Sequence, residues 1–184
     1  MKEILKDLDI LTQDRLDDAT RAKLLDQTTE KVGNFIAKTY SVKDHEVAIM
    51  LVSPKQRALK FEFPKAHRGS GVIPVRGRVS GKDSIALRAI NTKRAELLNS
   101  VKNVKHLALF EQVKHADKAP VPIQKMMCAP VVTGDLVVGV IQVSRKGESE
   151  AAAGPDFSDD DLRQLQEIAT EFAPYLGKLI PTSY

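Results

Sequence analysis

The chain has 184 residues, 42% hydrophobic and 28% charged, and a net charge of +4. That composition excludes intrinsic disorder and suits one domain with a sizeable core rather than two. No apolar run approaches the roughly 20 residues that a membrane helix needs, the opening MKEILKDLDILTQD lacks the apolar centre of a signal peptide, and a lone Cys128 excludes an internal disulfide or an all-cysteine metal site. These features set the expectation of a cytoplasmic protein that makes no use of a membrane.

The charge is unevenly placed. Residues 1–53 carry 8 basic and 10 acidic side chains, residues 54–118 carry 15 and 5, and residues 119–184 carry 5 and 9. The middle third is therefore the electropositive part, at +10, between two mildly acidic ends.

Residues 2–40 read as helix, with a polar break from Thr12 to Asp18 and a fresh cap at Thr12 or Asp14. Beyond the break, Leu24, Leu25, Val32, Phe35 and Ile36 recur at helical spacing. Gly33 interrupts that stripe at a cost of about 1 kcal/mol relative to alanine. Asp44 to Ser53 (DHEVAIMLVS) reads as a strand, Pro54 to Arg57 as a turn, and Ala58 to Phe63 as a half-buried antiparallel partner with Leu59, Phe61 and Phe63 on one face. Val72 to Val79 is a further extended piece, kept to an edge by Pro74.

A short helix is expected over Ile85–Ile90, capped by Asp83 or Ser84, and then a short strand over Ala95–Leu98. Residues 99–124 offer one or two helical turns and a Pro-rich loop. Met126 to Arg145 (MMCAPVVTGDLVVGVIQVSR) is a hairpin about Thr133-Gly134-Asp135. Its second arm is apolar at consecutive positions, so it belongs mid-sheet, covered on both faces. Gly139 leaves room for close approach to the backbone. A low-complexity loop, expected to be mobile, fills 146–155. The last helix opens on Ser158 with Asp161 as a capping box and Phe157 with Leu162 as a hydrophobic staple. Pro174 lies inside it and Pro181 ends it.

The order helix, hairpin, basic middle, hairpin, helix predicts an α+β fold. A central antiparallel sheet of about five or six strands would carry the N- and C-terminal helices on one face and short helices and loops on the other.

That order, the pattern MMCAPVVTGDLVVGVIQVSRK, the following DFSDDDLRQLQEIATEFAPYL and the mid-chain SIALRAINTKRAELL together resemble the GAF domain. This is a PAS-like cytoplasmic sensor module. The resemblance covers roughly Val32 to Ile180. The domain reading is a GAF-like domain over 41–184 behind an N-terminal helical segment over 1–40, and the apolar stripes of the terminal helices, Ile4, Leu5, Leu8 and Leu11 among them, mark these for dimerisation. The resemblance implies a ligand pocket between the sheet and the mid-chain segment. The Asn-Lys, Phe and Asp-Glu set of the cyclic-nucleotide-binding subgroup is missing. Cys128 is not in a bilin-attachment context, and one cysteine cannot form the resolving disulfide of the methionine-sulfoxide-reductase subgroup. No cofactor is identified, and no catalytic or output domain is expected within these residues.

Arg76 and Arg78 are two apart, so on a strand they share a face and can grip a phosphate or carboxylate bidentately. With Arg88, His106 and Phe110 they form the candidate ligand-binding set, and Lys60 and Arg68 are further candidates. The plainer use of the same charges is a solvated surface. Nucleic acid is disfavoured, because no aromatic residues interleave with the basic ones. The four histidines lack metal-ligand spacing, and Cys128 reads as a small buried apolar residue. No residue set supports catalysis. The expected function is a stand-alone sensory module that binds a small, anionic ligand. It would dimerise through its terminal helices and pass a signal to a partner protein. The alternative is a structural dimerisation or protein-interaction domain with no ligand.

Overall fold

The computed structural model of the chain describes residues 4, 6, 16–53, 55–69, 72–75, 84–101 and 121–184. Among the described residues the main elements run in the order α1 (Asp18–Thr39), β1 (Val47–Ser53), β2 (Ala58–Phe63), β3 (Val72–Pro74), α2 (Ile85–Thr92), β4 (Glu96–Leu98), β5 (Ile123–Thr133), β6 (Leu136–Lys146) and α3 (Asp159–Leu179). The strands form one antiparallel sheet in the order β3-β2-β1-β6-β5-β4. The apolar second arm of the hairpin thus sits at the centre of the sheet, as its unbroken run of apolar residues requires.

Strand alternation sorts the side chains into two cores. Ile49 and Leu51 of β1, Met127, Ala129 and Val131 of β5, and Ile141 and Val143 of β6 pack under α1 and α3. Met50, Met126, Cys128 and Val140 face the other way, against Ile85, Ala86, Leu87 and Ala89 of α2. The result is the expected α+β arrangement, with the two long helices on one face and the short mid-chain helix on the other.

Several boundaries differ from the sequence reading, each for a local reason. Helix α1 begins after Asp17, whose carboxylate accepts from the Thr20 amide at 2.7 Å; the alternative caps, Thr12 and Asp14, lie outside the described residues. Asp44–Glu46 is a 3₁₀ turn, not strand. There the Glu46 carboxylate accepts from the amides of Lys43 and Lys146, at 2.9 and 2.8 Å. Phe63 does not share a face with Leu59 and Phe61. The register jumps from Met50 opposite Phe61 to Ile49 opposite Phe63, so Glu62 is the extra residue of a bulge. The bulge turns Phe63 into the long-helix core while Leu59 and Phe61 stay on the α2 side. Strand β3 covers Val72–Pro74, and the remainder of the expected Val72–Val79 piece lies outside the described residues except for Val75. Strand β5 starts at Ile123, three residues before the expected start, and Gly134, at φ +57°, takes the left-handed turn position with Asp135.

The tip of the β5–β6 hairpin and the loop that follows β6 are both tied down. Thr133 Oγ1 donates to the Ala173 carbonyl at 3.0 Å, joining the hairpin tip to α3 beside Pro174. The 147–157 loop is pinned by Gln124 Nε2 on the Gly147 carbonyl and by Lys125 Nζ on the Gly154 carbonyl and the Asp156 carboxylate.

Candidate functional site

The sheet face under α2 is mainly apolar, but one row across it carries polar groups. Ala48 on β1, Gln142 on β6, Cys128 on β5 and Glu96 on β4 are successive cross-strand partners. Directly opposed residues in antiparallel strands share a face, so Gln142, Cys128 and Glu96 line up on the side of Met50, Met126 and Val140.

Each member has a distinct chemical state. Gln142 is 5% exposed, and its Oε1 has no hydrogen-bond partner among the described residues. A buried acceptor left so costs about 1–3 kcal/mol. Cys128 is fully buried, and burial pushes its thiol well above the usual range, with the Glu96 carboxylate adding to the shift. It is therefore a protonated thiol at neutral pH and a poor nucleophile. Glu96, largely covered, places Oε2 3.2 Å from the Arg88 guanidinium. Arg88 projects from α2, which Ser84 caps by accepting from the Leu87 amide at 3.1 Å. What the row offers is a set of hydrogen-bonding groups in apolar surroundings, with one half-exposed ion pair at its β4 end. Among the described residues no group of three or more His, Cys, Asp or Glu is placed to hold a metal.

Of the candidate set read from the sequence, Arg88 stands at this row. Arg76, Arg78, His106 and Phe110 lie outside the described residues. Lys60 points to the long-helix side, its Nζ 4.7 Å from the centre of the Tyr184 ring. Arg68 bridges α1 to β2, with ion pairs to Asp26 and Glu62 and a hydrogen bond from Nε to the Glu62 carbonyl. Gln142 and Glu96 were missed. A signal for Gln142 does exist: it is the first polar residue in the run Leu136–Gln142, on a strand buried on both faces. Glu96 on a three-residue strand carries no comparable mark.

The family model for the GAF domain matches residues 19–176. Among curated proteins none matches the chain. Among solved structures it is similar to the GAF domain from an Acinetobacter phosphoenolpyruvate-protein phosphotransferase, at 12% identity and a TM-score of 0.65, over 95% of this chain and 91% of that one. It is similar also to a free methionine-R-sulfoxide reductase from Neisseria meningitidis solved with its substrate, at 15% identity and a TM-score of 0.59, over 97% and 89%. The GAF-B domain of DevS from Mycobacterium smegmatis superposes at a TM-score of 0.54 and 14% identity, over 88% and 93%. At these identities the likeness is one of fold. No helix among the described residues is long and apolar enough to cross a membrane.

Proposed function

The chain belongs to the GAF domain family, a family of sensory and ligand-binding modules, and from that premise we propose that it binds a small molecule on the sheet face under α2 and reports the bound state to a partner protein. The observation that carries this reading is the polar row of Gln142, Cys128 and Glu96 set into a mainly apolar face. An enclosed site with a few fixed polar groups on apolar walls is what recognition of a small molecule needs.

An anionic substituent on the ligand is part of the proposal, with Arg88, Arg76 and Arg78 as its counter-charges and His106 and Phe110 as further contacts. The excess of cations over residues 54–118 supports it. Binding rather than catalysis is the reading, because the single cysteine is a buried, protonated thiol. The reductase likeness is therefore taken as one of scaffold. The cytoplasm is the proposed compartment, in keeping with one free cysteine and no disulfide.

Assembly as a homodimer through the terminal helices is the second part of the proposal, and its support is the apolar sequence stripe of Leu5, Leu8 and Leu11 ahead of α1. Helix α1 turns Leu25, Val32 and Ile36 into the chain's own core, and Ile4 packs against that core. Large apolar side chains left exposed among the described residues are Val121 and Leu136, neither on a helix.

Native mass spectrometry of freshly purified full chain, followed by a thermal-shift screen of nucleotides and organic acids, tests both parts. A ligand at 100 times its Kd should add about 2.7 kcal/mol of stability by mass action, and its effect should disappear in the Arg76→Ala, Arg78→Ala double variant. A filled face with no ligand in either experiment would favour the structural interaction module, and a monomer at all concentrations would end the dimer reading.

A further inference from the structure

We propose that the ligand of this face meets the centre of the sheet with a hydrogen-bond donor, an N–H or O–H carried on an apolar or aromatic body, and that Gln142 Oε1 is the group that receives it. This rests on the small-molecule reading above and adds the chemical class.

The argument begins with the unmet acceptor. Gln142 is 5% exposed and its Oε1 is unpartnered among the described residues, so the free protein bears a desolvation cost that a donor would remove. The neighbours on that face do not compete for an anion. Ser144, two residues along β6, spends its hydroxyl proton on the Glu46 carbonyl at 3.0 Å and is left with lone pairs. Cys128 opposite is a weak donor at best. Glu96 brings only acceptors, already facing Arg88. Among the described residues, the one N–H donor an anionic group would meet there is the neutral Nε2 of Gln142 itself, a weaker partner for an anion than the Arg88 guanidinium.

The Arg88 pair is two strands away from Gln142, roughly 10 Å at the usual strand spacing, so an acidic substituent belongs at that end and the donor at this one. Around Gln142 the walls are Met50, Met126 and Val140, which favour an apolar body between the two ends. Gln124 also leaves Oε1 unpartnered. It lies four residues along β5 from Cys128 and spends its Nε2 on Gly147, so it belongs to the end of the sheet and serves as a control.

The methionines supply the readout. The chain has 4; Met50 and Met126 lie on the proposed face and Met127 lies on the opposite one. In methyl NMR of methionine-labelled full chain, phenol and benzamide are compared with their donor-less counterparts anisole and N,N-dimethylbenzamide. The probes are used at about 10 mM, the range that a handful of heavy atoms can reach. The expected result is that the donor-bearing probes move Met50 and Met126, leave Met127 in place, and bind at least tenfold more tightly than their counterparts. Gln142→Leu should erase that preference and raise the unfolding midpoint of the free protein by about 2–4 °C, whereas Gln124→Leu should leave the probe shifts intact. Equal binding of both members of each pair, an unchanged preference in Gln142→Leu, or shifts at Met127 alone would overturn the proposal. A nucleotide or organic acid that binds this face with no effect of Gln142→Leu would overturn it while the broader small-molecule reading stands. No movement of Met50 or Met126 with any compound of either screen would end both.

Discussion

Gly33 has no side chain because the Phe63 ring occupies the place where one would be: a Cβ there would come within 2.5 Å of the ring carbons. In the sequence this glycine only weakens a helix. In the fold it is the seat for a core aromatic, and the bulge at Glu62 is what delivers that aromatic. Gly33→Ala should therefore destabilise, by about 1–3 kcal/mol as overpacking does, although alanine favours the helix; urea denaturation checks the sign. Gly139 is a similar case. A Cβ there would meet the Met50 carbonyl oxygen at 2.5 Å, so the close approach expected from the sequence is that of β1 itself.

Asp26 makes a pH-dependent contribution. Burial alone would raise its carboxyl, but the hydrogen bonds and charges of Arg68 and Lys65 outweigh it and hold the group below the ordinary carboxylate range. A carboxyl lowered on folding stabilises the fold above its unfolded pKa and loses that contribution as pH falls through the folded value. Thermal midpoints followed downward from about pH 5 should fall more steeply in the wild type than in Asp26→Asn, and at neutral pH the variant should be weaker by about 1 kcal/mol. Equal slopes would assign the acid sensitivity elsewhere.

At the scale of elements, the start of α3 and the turn of the β5–β6 hairpin were the most legible features, because their signals lie within a few residues of one another. The capping box of α3 is present as read. Ser158 Oγ accepts from the Asp161 amide at 3.1 Å, and the Asp161 carboxylate accepts from the Ser158 amide at 2.7 Å. Phe157 and Leu162 both pack into the long-helix core. Ser158→Ala should cost about 1 kcal/mol and lower the thermal midpoint by about 2–4 °C, measurable by circular dichroism. Bulges were not legible. Nothing in ALKFEF marks Glu62 as the residue without a partner, since that depends on which residues of β1 lie opposite. The start of β5 was missed for a related reason. Ile123 and Gln124 follow Pro122 and look like loop, but the Gly147 amide donates to the Pro122 carbonyl and Gln124 reaches the Gly147 carbonyl, which extends the hairpin by contacts with a distant loop.

For the whole molecule, the order of strands predicts a gradient of protection. Strands β1 and β6 are central, paired on both sides and buried along Val47–Leu51 and Val140–Val143, whereas β3 and β4 are three-residue edges. Amide hydrogen exchange should be slowest in Val47–Leu51 and Val140–Val143 and fastest in β3 and β4, because opening an edge exposes less surface than opening the centre. Exchange as slow at the edges as in the centre would contradict this order. The candidate site was half legible at this scale. A cation at its rim, Arg88, was found from charge, but the row itself was not.

The amino-acid sequence alone was enough for the class of fold, the central place of β6, the helices at both ends and the family resemblance, because each depends on periodicity, capping or turn chemistry within one short stretch. Only the tertiary structure decided that Gln142, Cys128 and Glu96 stand in a row, that Phe63 fills the space above Gly33, and that Lys60 and Arg68 serve the long-helix side. Those are facts of register between strands far apart in the chain. Register is set by the packing of all the strands at once, so no single stretch of sequence contains it.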